Sequence, residues 1–333
     1  MMAGAAAAQQ PPAKTRGRGA STAVTPARVL LTPRFIPGQV FRYNMQFETS
    51  SQTTHSGLVA DPQGPSQLTI TWDATVRVDV LPAGASAPGG IRLRTTYEKS
   101  AATIQSDTYD PAAVTIQERY QKMQGVSLEF TLDANGKPTG VTGLEALGGD
   151  EKAQQQARDW IAQITRGAGA PAAGIFIGQV WSSEQPVTTV PLAGLTSQMV
   201  STYVRNEPCR QPLEGAAPQK SPGEKSAAPA PEVADDESCA LILTRLRTLP
   251  PKPQSDPTAE DYKKRGIRAA GSWDGSGESL SHVSLRTGLV VSITQTGSET
   301  MDMTLTTPHE DSLRYSGIIR TRSQLMLAPA EKP

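Results

Sequence analysis

The sequence has no surplus of either charge. Lys and Arg number 32, Asp and Glu number 32, and the formal net charge is zero. Nucleic-acid binding normally needs a basic excess gathered into a patch or stripe. The one basic cluster, "KTRGR" at 14–18, lies in the leading tail, so no nucleic-acid partner is expected. Long apolar runs are missing too: nothing approaches the roughly 18 residues that a membrane-spanning helix needs. Histidine is scarce. His55, His282 and His309 are scattered, no His-Glu-x-x-His occurs, and two cysteines thirty apart make no zinc knuckle; neither a metal nor a cofactor is expected. Aromatics are few as well, with 5 Phe, 7 Tyr and 4 Trp in 333 residues, which makes a large interior hard to fill.

The scarcity of cysteine is itself informative. A chain this long buries a core without disulfides or metals. Yet Cys209 and Cys239 flank a segment rich in Pro, Ala, Ser and charge, too poor in large apolar residues to order itself. β-like runs lie on either side, "SQMVSTYV" before and "CALILTRL" after. The expectation is two adjacent antiparallel strands joined by a disordered insert at 210–238, with a disulfide at its base. The alternative is a pair of buried thiols in a cytosolic protein. The start, "MMAGAAAAQQPPAK", has the small residues of a secretory cleavage site without a basic n-region or a full apolar h-region. It reads as the remnant of a signal peptide within a disordered leader at 1–34, and so as a secreted or periplasmic protein; an Ala-rich leader is the plainer alternative.

What the chain does have is alternation. In "VFRYNMQFE", Phe41, Tyr43, Met45 and Phe47 alternate with Arg42, Asn44, Gln46 and Glu48. "QLTITWDATVRVDV", "IRLRTTYE" and "VSLEFTL" repeat the device, with turn-like breaks such as "LPAGASAPGG" and "DANGKP" between runs. Successive side chains of a strand point to opposite faces, so each run is a half-buried strand. Strands of a parallel sheet covered by helices read as continuous apolar runs, so this pattern predicts antiparallel strands with one face in water.

Two helices are expected. "DPAAVTIQERYQKMQG" opens with Asp110 as N-cap and Pro111 at the first helical position, and stops at Gly125. The other, in "GGDEKAQQQARDWIAQITRG", carries an apolar stripe of Ala153, Ala157, Trp160, Ile161 and Ile164. An internal echo links "PGQVFRY" at 37 to "IGQVWSS" at 177, each opening a run of strands. The fold class is therefore mainly β (α+β): a large curled antiparallel sheet or half-barrel of about ten strands with two helices. A single domain at 35–327 is expected, with similar halves at 35–145 and 175–327 joined by the second helix, and a tail at 328–333.

Long alternating strands, central helices, a return through "GQVW" and further strands resemble uncharacterised secreted β-rich proteins of bacteria. In architecture the order is similar to the half-barrels of lipoprotein carriers of the LolA and LppX type. The resemblance covers most of 35–327. It implies a lipid chain held on a concave apolar face and carries over no functional residue.

Few motifs carry chemistry. "DANGKPTG" lacks the ligand spacing and closing Glu of a calcium loop, and Asn135-Gly136 reads as a type I′ hairpin turn. "GSGES" at 275–279 looks like a glycine-rich loop, but no Gly-Lys-Ser/Thr follows, and it is not the Gly-x-Ser-x-Gly of a nucleophile elbow. A hydrolase would draw on Ser279 or Ser281, His282, and Asp274 or Glu278. Adjacent strand residues point apart, so Ser281 and His282 do not meet. No enzyme activity is expected. A lipid or other hydrophobic small molecule lined by Phe41, Tyr43, Phe47, Trp72, Tyr97 and Phe130 is the first expectation for function. A structural or protein-interaction module of the cell envelope with a filled core is the second.

Overall fold

The computed structural model describes residues 27–57, 66–82, 90–107, 111–133, 136–147, 151–165, 169–187, 190–209, 237–250, 256–309 and 311–329. Residues 1–26 of the leader, most of the insert at 210–238 and the last residues of the tail lie outside the described residues, as do Asp110 and Asn135. Residues 27–34 are ordered against the expectation, with Val29 bridged to Ile175 and Leu31 buried in the core. The first half of the chain forms β1 (Val40–Gly57), β2 (Ser66–Leu81), β3 (Ile91–Ser106), α1 (Pro111–Lys122), β4 (Ser127–Leu132) and β5 (Pro138–Thr142). A 3₁₀ turn (Leu144–Leu147) and α2 (Glu151–Thr165) lead to β6 (Val180–Pro186), β7 (Thr196–Pro208), β8 (Ser238–Leu249) and α3 (Glu260–Lys263). The last strands are β9 (Arg268–Ser284), β10 (Val290–Thr306) and β11 (Ser312–Leu327).

All 11 strands join one antiparallel sheet in the order β5-β4-β3-β2-β1-β11-β10-β9-β8-β7-β6. The chain starts at the centre, walks out to β5, crosses by way of α2 to the far edge at β6, and walks back until β11 meets β1. Among the described strands β1–β11 is the one ladder that pairs the two halves, and the sheet does not close between β5 and β6. Alternation decides the faces, as the sequence predicts. The even positions of β2, from Ile70 to Val80, are buried, and Arg42, Arg77, Asp79, Arg92 and Arg94 stand outward. Outward ion pairs tie the strands together: Arg42 of β1 reaches across β2 to Glu98 of β3 at 2.7 Å, and Arg94 of β3 pairs with Glu129 of neighbouring β4 at 2.6 Å.

The echo in the sequence builds one turn twice. Gln39 N–H donates to the Ile36 carbonyl at 3.0 Å and Gln179 N–H to that of Phe176 at 2.9 Å. Each glutamine side chain folds back to accept the N–H of the same residue, Ile36 at 3.0 Å and Phe176 at 3.3 Å. Gly38 and Gly178 sit at φ +86° and +87°, where any Cβ is penalised. Each glycine then donates to the adjoining strand, Gly38 to Val80 at 2.8 Å and Gly178 to Tyr203 at 2.7 Å. The repeated "GQV" is thus a strand-launching turn at the head of β1 and of β6.

The described residues hold eleven strands, in line with the expected sheet of about ten, and two further details differ from expectation. A third helix, α3, spans only Glu260–Lys263, too short to leave a periodic signal. The glycine-rich "GSGES" is no loop: it lies in mid-strand in β9, where Gly277 pairs with Gly297 of β10. "GIRAAGSWDG" and "ESLSHVSL" are consequently one strand, of 17 residues with its neighbours, against about 5–6 in an ordinary strand. Inward glycines leave no side chain to pack, and they let a sheet this tall bend.

Candidate functional site

The inner face of the curled sheet is the natural place for a site, and its chemistry follows from register. Phe41, Tyr43, Met45 and Phe47 of β1 lie opposite Val78, Val76, Ala74 and Trp72 of β2. Tyr97 and Leu93 of β3 continue the same face, and Phe130 of β4 lies opposite Leu93. Of the six expected lining residues, Phe41, Tyr43, Trp72, Tyr97 and Phe130 are buried and Phe47 is partly buried. They form one cluster: Phe41 meets Tyr43 edge-on at 5.7 Å, and Trp72 lies 6.3 Å from Tyr97. What they touch is protein. Helix α2 lays Ala157, Trp160, Ile161 and Ile164 into the face, and Trp160 Nε1–H donates to the Tyr97 hydroxyl at 2.8 Å. Burial raises the phenol pKa of Tyr97 above its ordinary value, with the bond from Trp160 pulling weakly the other way. Tyr43, fully buried, donates to the Val290 carbonyl at 2.9 Å, and burial raises its pKa too.

Beyond this core the inner face turns small and polar. Across the middle of the sheet it carries Thr49, Thr321, Gly297, Gly277 and Leu246 in one row. One row on, Glu299 lies opposite Gly275 and Ile319, and by register it is the one charged inward residue of the described strands. A Cβ on Gly275 would come within 2.8 Å of Thr248 Oγ1 and 3.4 Å of Glu299 Cγ, so that glycine makes room for both side chains. At the far end, Val190, Leu192 and Leu195 pack on Ala269 and Met303 as a second small core. A separate cleft of about 200 Å³ opens past the C-terminal end of α2, lined by Leu31, Pro33, Thr165 and Ala172 among others.

Polar chemistry gathers instead on the outer face, where the insert leaves the sheet. Cys209 and Cys239 are joined, with their Cα atoms 4.8 Å apart and both residues buried beside Val291. Cys209 N–H also donates to the Glu237 carbonyl at 2.9 Å. The Glu237 carboxylate accepts the Ser284 hydroxyl, and Arg286 reaches it at 2.6 Å. His282 of β9 lies between Glu207 of β7 and Ser292 of β10, at 2.6 Å from Nε2 and 3.0 Å from Nδ1. With Glu207 ionised, Nε2–H donates to it, and a neutral ring accepts the Ser292 hydroxyl at Nδ1. The residues first considered for a hydrolase are not assembled. Ser279 and Ser281 face inward, Glu278 pairs with Arg245 at 3.4 Å, and Asp274 is exposed. The partners that His282 does find sit 75 and 10 residues away, and no local motif could signal them.

Two outcomes follow at this corner. Burial works against the Glu207 carboxylate, but hydrogen bonds from His282 and Arg205 prevail and hold its pKa below the ordinary value. A carboxyl depressed by folding stabilises above its unfolded pKa of roughly 4.3 and loses that contribution as pH falls through the folded value. Glu207→Gln should therefore flatten the fall in stability between about pH 5 and 3, as read by urea unfolding across that range. Replacing both cysteines with serine should cost about 2 kcal/mol at neutral pH in the same assay. The chain-entropy ceiling for a loop of this length is roughly 3–4 kcal/mol, and the Cys209–Glu237 bond already helps close it.

No family model matches the chain, and no curated protein matches it. Among solved structures the chain is similar to the outer membrane protein OprG from Pseudomonas aeruginosa, at 6% identity over 90% of this chain and 100% of that one. The TM-score is 0.17, and a likeness of that size carries no argument about fold or function.

Proposed function

We propose that the protein is an exported, non-enzymatic module of the cell envelope that acts through its surface, with the inside of its curled sheet filled by its own chain. One observation carries this reading: α2 occupies the inner face, with Ile161 and Ile164 at 0% and 2% exposure and Trp160 bonded to Tyr97. A lipid on Tyr97 would have to displace that helix, and one on Trp72 would meet Tyr120 of α1, whose ring lies 5.3 Å away. Export is supported by the Cys209–Cys239 bond, because disulfides persist in oxidising compartments. The absence of enzymatic activity is supported at His282, whose two ring nitrogens are both engaged in holding three strands in register.

Native mass spectra of protein purified without detergent, recorded beside an organic extract, test the reading. A bare protein mass is expected, unchanged after addition of fatty acids or phospholipids. A reproducible extra mass that reappears in the extract as a lipid would overturn it. The protein would then be a carrier of hydrophobic molecules, with α2 as the element that moves.

A further inference from the structure

Among the described residues the sheet has two free edges, at β5 and β6, and they are not equivalent. β5 is short, begins at Pro138, carries Gly140 at φ +60°, shifts register against β4 and has α2 packed beside it. Proline, irregularity and a covering element are the usual devices that keep a sheet edge from pairing with another chain. β6 has almost none of them. Its seven residues run in unbroken register with β7, every one but Trp181 is exposed, and the strand contains no Lys or Arg. Its one charged side chain, Glu184, already accepts a bond from Gln198 at 2.9 Å.

The phase of the ladder shows which groups are open. Tyr203 N–H donates to the Gln179 carbonyl at 3.0 Å, which makes Gln179 a bonded position. Bonded positions alternate along an antiparallel pair, so Trp181, Ser183 and Gln185 turn their backbone groups toward β7. Val180, Ser182 and Glu184 then turn theirs toward the free edge. We propose that β6 pairs antiparallel with β6 of a second copy of this chain, about a two-fold axis through Ser182.

That register is self-consistent. Val180 faces Glu184 of the second copy, Ser182 faces its counterpart, and all the edge-facing donors and acceptors of the three residues are used. The ladder ends at Pro186, which has no N–H, opposite Gly178, whose N–H is already given to Tyr203. No like charges stand opposite each other. Val180, 58% exposed, is covered by the second copy's strand, with the aliphatic stem of Glu184 opposite it. Self-pairing goes beyond the envelope-module reading and does not depend on it.

Sedimentation velocity of the full chain over a hundredfold range of concentration tests the proposal, beside Ser182→Pro and Val180→Lys. Proline at 182 removes a donor from the free edge alone, and lysine at 180 adds the charge this edge lacks. The wild type should pass from monomer to dimer, and each variant should raise the dissociation constant at least about tenfold with unchanged circular dichroism. A wild type that stays monomeric, or a dimer that both variants leave intact, would overturn the proposal. So would a chain that stays monomeric while its β6 edge takes up a strand from a different protein.

Discussion

Gly317→Ala is expected to weaken the whole fold by about 3 kcal/mol, a cost set by overpacking and the loss of ladder bonds around it. Gly317 sits on β11 opposite Thr53 of β1, on the one ladder of the described strands that pairs the two halves of the sheet. A Cβ there would stand 2.3 Å from the Gln52 carbonyl oxygen, 3.0 Å from Thr53 Cα and 3.1 Å from Thr53 Cγ2. Two of these three neighbours are backbone, which has no rotamer to retreat into, so the strands themselves must part. Gly178→Ala is the control. It meets nothing within 4 Å, and its φ of +87° charges only the backbone penalty of roughly 1–2 kcal/mol. Thermal and urea unfolding separate the two cases: Gly317→Ala should lose roughly 6–12 °C, and its transition should broaden or split if the halves begin to melt separately. Equal losses for both variants would show that the β1–β11 contact is not what glycine protects.

Gly317 also shows where a sequence stops being readable. In "YSGIIRTRSQLML" it is merely a glycine in a strand, and nothing local says that β1, more than 250 residues earlier, lies against it. Alternation within a strand is a local property, so the inward and outward sides of β1 to β4 were legible residue by residue. Pairing between the first and last strands is not local. "GSGES" fails for a related reason: glycine is punctuation in most contexts, and only the facing Gly297 reveals the stretch as mid-strand. The aromatic cluster was legible as a set, because Phe41, Tyr43, Phe47, Trp72, Tyr97 and Phe130 share one parity. Whether that set would face a ligand or protein depended on where α2 docks, and an amphipathic stripe says only that a helix has something to bury. His282 is the extreme case, since both of its partners come from other strands.

Trp160→Ala tests the filled interior itself, and it should cost about 3–5 kcal/mol, the range for deleting a large buried aromatic. Trp160 is 8% exposed, packs edge-on to Tyr97 at 6.2 Å and gives that residue its indole proton. Truncation removes the ring and also leaves the Tyr97 hydroxyl buried without its donor, which adds roughly 1–3 kcal/mol unless water enters. Trp160→Phe separates the two effects by keeping a ring and losing the proton, and should fall midway between alanine and the wild type. Tyr97→Phe removes the other end of the bond. In the double variant with Trp160→Phe the losses should be less than additive, by the 0.5 kcal/mol or more expected of residues in direct contact. The sharper readout is occupancy. If the alanine variant stays folded and takes up a fluorescent fatty acid that the wild type refuses, the side chain of α2 is what keeps the inner face shut. The interior is then a pocket that the chain fills for itself. If neither protein takes up the probe, the core has collapsed around the missing ring, and the inner face is packing alone.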